Sequence, residues 1–270
     1  MPHPRLICST MAYYCCPLDQ ALARLGAHGV DKVELCSMGH EHYDLRTATD
    51  REAEQAARLA DRAGVRIVAV NLGAPCRLDA DYRPLDTAYA NAWKVLRLAK
   101  TVGAEVATMG CGTLVAAGED RARKLAALAA FHREVADLAA GLGVTFCIEA
   151  PHKHSIAEKS AEVAEYWQAH DATVRCTFDM AHIMFAGDDP LAEARRRRDR
   201  VAHIHLRDAV PGNSRLPFGE GQIDFKTIVG VFKEIGYSGY YSLEFPVEQS
   251  AEAADERLVK NLDYFAGFAF

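Results

Sequence analysis

Three carboxylates and one imidazole stand at the ends of short apolar runs in the second half of the chain. Cys-Ile-Glu closes at Glu149, Cys-Thr-Phe-Asp at Asp179, Ser-Leu-Glu at Glu244, and His-Ile-His at His205. Short runs of β-branched and aromatic residues read as buried parallel strands, and the strand C-termini of an α/β barrel converge on one face. On such a face the four side chains point into one pocket. Like charges in a poorly solvated site cannot all stay ionised unless a cation sits among them, so the pattern calls for one divalent metal held by Glu149, Asp179, His205 and Glu244. Oxygen-rich donors with a single imidazole put Mn2+ or Mg2+ first, with Co2+ and Zn2+ as alternatives.

Each residue has a plainer reading when taken alone. Glu149 leads into Ala-Pro-His-Lys-His and would pair with a neighbouring lysine or arginine. Asp179 sits where a helix begins and would cap it. His203 and His205 share a strand face, so one of them would be core packing. Glu244 is the least open to such an account, because a carboxylate inside Tyr-Ser-Leu-Glu-Phe-Pro is rarely buried without a partner or a metal. Further candidates for substrate contact are His182, one turn after Asp179, together with Glu34, His152, Lys153, Arg207 and Arg215. The two arginines suit a phosphate or a hydroxyl group, or else the protein surface, and no phosphate cradle accompanies them.

Eight apolar runs are available to position these groups: Leu6 to Thr10, Val33 to Cys36, Val65 to Leu72, Ala104 to Met109, Val144 to Glu149, Val174 to Asp179, Val201 to Leu206 and Tyr240 to Phe245. Alanine-rich stretches with helical spacing lie between them, as at Leu125, Leu128, Val135, Leu138 and Leu142, which predicts one buried helix face. Gly29, Gly64, Gly103 and Gly143 each stand at or shortly before a strand and predict a helix C-terminus turning into it. No GxGxxG turn follows an early strand. A closed (β/α)8 TIM barrel, one domain over residues 1–270, is therefore preferred to an open nucleotide-binding sheet.

Half of the residues are hydrophobic and a quarter charged, the mix of a globular enzyme. With 31 basic against 37 acidic residues the net charge is −6, which gives no support for holding nucleic acid or an anionic membrane. The run Arg195 to Arg198 is expected on a solvated helix face. Cys8, Cys36, Cys147 and Cys176 fall in strand-like runs as small hydrophobes, and there is no CxxC pair. Neither a signal peptide nor an apolar stretch of about 18 residues is visible, so a reducing cytoplasm is expected. The aromatic tail of Tyr264, Phe265, Phe268 and Phe270 is expected to pack on the barrel, with contact to a second copy or a partner subunit left open.

Glu149, Asp179 with His182, His205 and Glu244, with Gly219-Glu-Gly-Gln-Ile-Asp-Phe before the last strand, resemble the xylose isomerase-like TIM barrel superfamily, in particular its sugar (phosphate) isomerase/epimerase branch. The resemblance covers nearly the whole chain. It implies that Glu149, Asp179, His205 and Glu244 bind one divalent metal, that the two glutamates also serve as acid and base, and that His182 contacts a sugar or sugar derivative. The expected reaction is isomerisation or epimerisation of a ketose, keto-polyol or related sugar through a metal-stabilised enediolate. A metal-dependent lyase, either a dehydratase or a C-glycoside-cleaving enzyme, would use the same residues, and a barrel that only binds a sugar or a subunit is a third reading. Asp-Met-Ala-His-Ile-Met-Phe-Ala-Gly also resembles endonuclease IV-like nucleases, which hold three zinc ions with histidines on strands three and four. Here those strands end around Asn71 and Met109 with no histidine, and the acidic balance argues against DNA.

Overall fold

All eight expected runs form strands of one closed parallel barrel in the computed structural model, which describes residues 2–38 and 41–270. Strands β1 (Leu6–Ser9), β2 (Lys32–Cys36), β3 (Arg66–Asn71), β4 (Val106–Gly110), β5 (Thr145–Glu149), β6 (Arg175–Asp179) and β7 (Val201–Leu206) follow in order. A small antiparallel hairpin of β8 (Asp208–Val210) and β9 (Asn213–Leu216), not expected from the sequence, intervenes before β10 (Tyr241–Leu243) closes the barrel between β7 and β1. The fold is a (β/α)8 TIM barrel. Its outer layer comprises α1 (Leu18–Ala27), α2 (Asp50–Ala63), α3 (Asp86–Val102), α4 (Arg121–Leu142), α5 (Ser160–Ala169), α6 (Met180–Phe185), α7 (Pro190–Arg197), α8 (Phe225–Glu234) and α9 (Ala251–Phe265). Among the described residues no helix is long and apolar enough to cross a membrane.

Helix ends follow the punctuation in the sequence. α2, α3 and α4 stop at Gly64, Gly103 and Gly143, whose φ values of 69°, 75° and 74° are left-handed and free of steric cost only without a Cβ. The buried stripe of α4 differs from expectation at one place. It runs through Leu125, Leu128, His132, Val135 and Ala139, so Leu138 falls on the solvent side and is 50% exposed. The arginine run is also less uniform than expected. Arg195, Arg196 and Arg198 are exposed, but Arg197 is buried, pairs with Glu193 and donates to the Val163 carbonyl (3.2 Å). Helical spacing places Arg197 four residues after Glu193 on the inward face.

The barrel interior changes character along its axis. Ile7, Val68, Ala69, Val106 and Cys147 form an apolar plug near the strand N-termini. Above it lies a polar layer that includes Glu34, Thr108, Thr177, His203 and Ser242, all fully buried. Thr108 and Thr177 satisfy each other at 2.8 Å. Strand register carries the layering upward: Asp179 and Ser242 both pair with His205, and Glu149 pairs with Thr177. Since alternate residues share a face, Glu149, Asp179, His205 and Glu244 all point inward at the C-terminal end. In the tail, Phe270 meets Tyr241 at the start of β10 (4.7 Å between ring centroids), and Phe265 meets Phe218 (4.9 Å).

A second buried histidine cluster lies between α4 and the end of α5, away from the strand ends. His132 Nδ1 and His170 Nε2 are 2.9 Å apart, and His170 Nδ1 donates to the Tyr166 carbonyl (2.7 Å). Burial holds the His132 pKa well below the ordinary imidazole value, and burial with the Arg200 charge lowers that of His170 to about 4 despite the Tyr166 bond. A depressed histidine stabilises the fold fully above its unfolded pKa, and that stability is lost as acid protonates the unfolded chain first. His170 alone is expected to remove about 3 kcal/mol between pH 7 and pH 4. Thermal melts across that range should show a steeper acid decline for the native chain than for His170→Gln.

Candidate active site

His205 occupies the centre of the C-terminal face. Its Nδ1 lies 2.9 Å from Glu149 Oε1, 3.7 Å from Glu244 Oε1 and 3.9 Å from Asp179 Oδ2, so one imidazole nitrogen faces all three carboxylates. Its Nε2 meets Glu34 Oε1 at 3.1 Å. With an ion bound, donation from Nε2 to Glu34 would leave the Nδ1 lone pair for the metal, the tautomer that ligation needs. Glu34 is in turn fixed by Ser242 Oγ, which donates at 2.7 Å, and by His203 Nε2 at 3.2 Å. Glu34, expected from the sequence as a substrate contact, is fully buried, does not line the cavity and meets His205, His203 and Ser242 with its two oxygens.

Asp179 carries out the plain reading and leaves room for the other. Its Oδ1 accepts from the amides of Ala181 (2.7 Å) and His182 (3.1 Å) and caps α6. Its Oδ2 is buried with no hydrogen-bond partner. A buried carboxylate oxygen without a donor is costly, and a cation is the ligand that answers it. Donor atoms of Glu149, Asp179 and His205 all lie within 4.8 Å of one another. Glu244 stands slightly apart, with Oε2 held by Arg207 Nη2 at 2.6 Å, while Arg207 Nη1 is 3.7 Å from Asp179 Oδ2. The donor set therefore fits a divalent ion on Glu149, Asp179 and His205, with Glu244 Oε1 beside them.

The two glutamates sit in different electrostatic environments. Burial alone would raise the Glu149 pKa, but the bond from His205 and its charge outweigh burial and bring it to about 2. For Glu244 burial prevails over the His205 and Arg207 charges, with Glu34 and Glu149 adding to it, and its pKa rises to about 7. Burial opposes a charge on His205, yet Glu244 and Glu34 overcome it and raise its pKa well above the usual imidazole range. Carboxyl groups pushed apart in this way suit one acid and one base.

A cavity of about 350 Å³ opens over these groups. Its wall includes Glu149, Glu244, His152, Lys153, His182, Arg207 and Arg215, so seven of the ten expected site residues reach a common space, while Asp179, His205 and Glu34 are not part of that wall. His182 lies 3.7 Å from Asp179 Oδ2 and its ring centroid is 4.2 Å from that of His152. Burial, then the His152 charge, keeps the His182 pKa well below normal, leaving a neutral imidazole for a hydroxyl partner. Sequence reasoning missed Asn71, which ends β3 and also lines the cavity; its position at a strand C-terminus was the available signal.

Asp208 was missed as well, and it explains the Gly219-Glu-Gly motif. Its carboxylate accepts from the amides of Ala209, Gly219 and Gly221, each at 2.9 Å, which ties the loop beyond the hairpin to β8. A Cβ on Gly221 would sit 1.9 Å from Asp208 Oδ1. Gly221→Ala is therefore expected to cost about 1–3 kcal/mol through overpacking, read as a lowered melting temperature, and to loosen the hairpin that carries Ser214 and Arg215 into the cavity wall.

The chain belongs to the xylose isomerase-like TIM barrel family, which it matches over residues 22–266. It spans about a third of the length of the curated relatives it matches. An inosose dehydratase of Clostridium tetani is 25% identical over 112 residues, 34% of this chain and 38% of that protein. A putative L-ribulose-5-phosphate 3-epimerase of Escherichia coli is 37% identical over 84 residues, 27% of this chain and 28% of that protein. Among solved structures, the IolI protein with a binding zinc atom shares the fold, with a TM-score of 0.77 over 98% of this chain and 99% of that one at 17% identity.

Proposed function

We propose that this chain is a divalent-metal-dependent isomerase or epimerase of a ketose, keto-polyol or related sugar, with Glu149 and Glu244 as its acid/base pair and Glu149, Asp179, His205 and Glu244 as the metal ligands. One observation carries the reading: the two glutamates come from β5 and from just past β10, with β6 and β7 between them around the wall, yet both line one cavity and face the same His205 nitrogen. Carboxylates on two sides of a bound carbon can take its proton from one face and return one to the other.

A carboxylate is too weak a base to do this unaided. The gap to a carbon acid beside a carbonyl is on the order of ten pKa units or more, at about 1.36 kcal/mol each. Held by Glu149, Asp179, His205 and Glu244, a divalent ion would supply Lewis-acid stabilisation of the developing negative charge. Glu149, held ionised, accepts the proton. Glu244, steadied through Oε2 by Arg207, delivers one. Return to the opposite face of the same carbon inverts it, and return to the neighbouring carbon moves the carbonyl. Neutral His182 bonds a substrate hydroxyl and holds the sugar against this pair.

A dehydratase is the second reading, favoured by the similarity to inosose dehydratases. The same proton removal beside a leaving hydroxyl expels water, and His152, which lines the same cavity, can protonate the departing oxygen. The test is chelation followed by reloading with Mn2+, Mg2+, Co2+ or Zn2+ and incubation with ketoses and inososes in deuterated water. Metal-dependent carbon-bound deuterium with the substrate formula conserved supports isomerisation or epimerisation. Loss of water supports the dehydratase, and no exchange or turnover with any ion overturns both.

A further inference from the structure

The cavity above the carboxylates is lined by three cationic side chains, Lys153, Arg207 and Arg215, and only one of them is accounted for. Arg207 is held by Glu244 and lies near Asp179. Among the described residues, Lys153 and Arg215 have no carboxylate within ion-pair distance. The Lys153 ammonium instead sits 5.4 Å from the centroid of the Phe185 ring. Burial and the charges of Arg207 and Arg215 work against its own charge and outweigh the favourable charge of Asp179, which places the three cations within electrostatic reach of one another. With Arg207 already paired, Lys153 and the exposed Arg215 are two cations left at the cavity rim without a carboxylate of the protein.

A divalent ion would cancel two of the three charges of Glu149, Asp179 and Glu244, leaving a cavity with an excess of positive charge. Lys153 stands four residues beyond the end of β5 and Arg215 lies in β9 past the end of β7, so both belong to the rim, whereas the carboxylates form the floor. A separate observation points to a ligand in the same space. Asn71, 1% exposed, lines the cavity, gives its Oδ1 to the Gly73 amide (3.3 Å), and leaves its buried Nδ2 without an acceptor. That donor is available to an oxygen of the occupant.

We infer that the substrate is an anionic sugar derivative, carrying a carboxylate or a phosphate that Lys153 and Arg215 bind at the rim while Asn71 donates to an oxygen of its body. The inference rests on the metal-assisted reading of the same site and adds the charge class of its substrate. Both anions accept several charge-assisted hydrogen bonds, and arginine with lysine suits either one.

Calorimetry on the full chain tests it with three probes of similar skeleton: D-fructose, D-fructose 6-phosphate and 2-keto-D-gluconate, each titrated into manganese-loaded and chelated protein. At least one anionic probe is expected to bind about tenfold or more tighter than D-fructose, and the ratio between the two anions identifies which group is used. The advantage should shrink as salt rises from about 50 to about 500 mM. The double variant Lys153→Ala, Arg215→Ala should lose most of that advantage while its manganese titration stays unchanged, which also shows that it is folded. Asn71→Ala should weaken all three probes. Equal binding of the neutral and anionic probes, no binding of either anion at tens of millimolar, or an intact preference in the double variant overturns the inference. Manganese titration of the native chain is read separately: if it fails, the metal-based function falls, while a Lys153- and Arg215-dependent preference in chelated protein still upholds the anion subsite.

Discussion

Glu244→Gln is expected to lower metal-dependent deuterium exchange at the substrate carbon by about a thousandfold or more while the barrel stays folded. Positioned acid/base groups contribute about 10²–10⁴ in rate, and glutamine keeps the shape of the side chain but takes up and releases no proton near neutral pH. The substitution also removes the carboxylate that Arg207 grips at 2.6 Å, so the guanidinium retains only the weaker approach to Asp179 at 3.7 Å. Some loss of metal affinity follows from that rearrangement and from the nearby Oε1. The measurement is therefore made at saturating Mn2+, with bound metal quantified in the same sample. Glu149→Gln should cause a loss of similar size, since its partner across the cavity cannot do both halves of the transfer. Full exchange retained by either variant at full occupancy would remove that glutamate from the chemistry.

Much of this was legible in the sequence because period and position carry it. Eight apolar runs separated by alanine-rich helices and glycine stops specify alternating strands and helices, and a parallel barrel then forces strand C-termini onto one face. Glu149, Asp179 and Glu244 stand out as acidic ends of apolar runs, a pattern that needs no knowledge of tertiary contacts. The role of Glu34 was not legible, because it sits mid-strand and its partners His203, His205 and Ser242 are more than 160 residues away; only barrel closure brings them together. The β8–β9 hairpin escaped notice for a local reason. Its strands have three and four residues with little alternation, and what fixes them is Asp208 gathering the amide of its neighbour Ala209 and two more, from Gly219 and Gly221, out of a loop that reads as unstructured glycine. Leu138 shows the limit of periodicity itself, since leucines stepping by three and four define two possible stripes and the alanine at 139 decides between them.

Asp179→Asn separates the two duties of one side chain. Asparagine caps a helix as well as aspartate does, and its amide oxygen can keep the bonds from Ala181 and His182 at 2.7 and 3.1 Å. The other terminal atom changes from a buried anionic oxygen without a hydrogen bond, 3.7 Å from Arg207, to a neutral NH2, which removes a negative charge from beside Glu149 and Glu244. In chelated protein the variant is therefore expected to melt at or slightly above the native temperature, whereas Asp179→Ala, which loses the cap, should cost about 1 kcal/mol, or roughly 2–4 °C. Added Mn2+ should reverse the order. The native chain gains stability by binding the ion in its folded state, and Asp179→Asn should bind about a hundredfold more weakly, forfeiting about 2.7 kcal/mol of that gain. Paired thermal melts with chelator and with Mn2+ read both effects in one experiment. A variant that melts like native protein in chelator and still shows the full manganese-induced rise would leave Asp179 as a helix cap and nothing more, and the orphaned Oδ2 would have to be satisfied by the substrate instead of the metal.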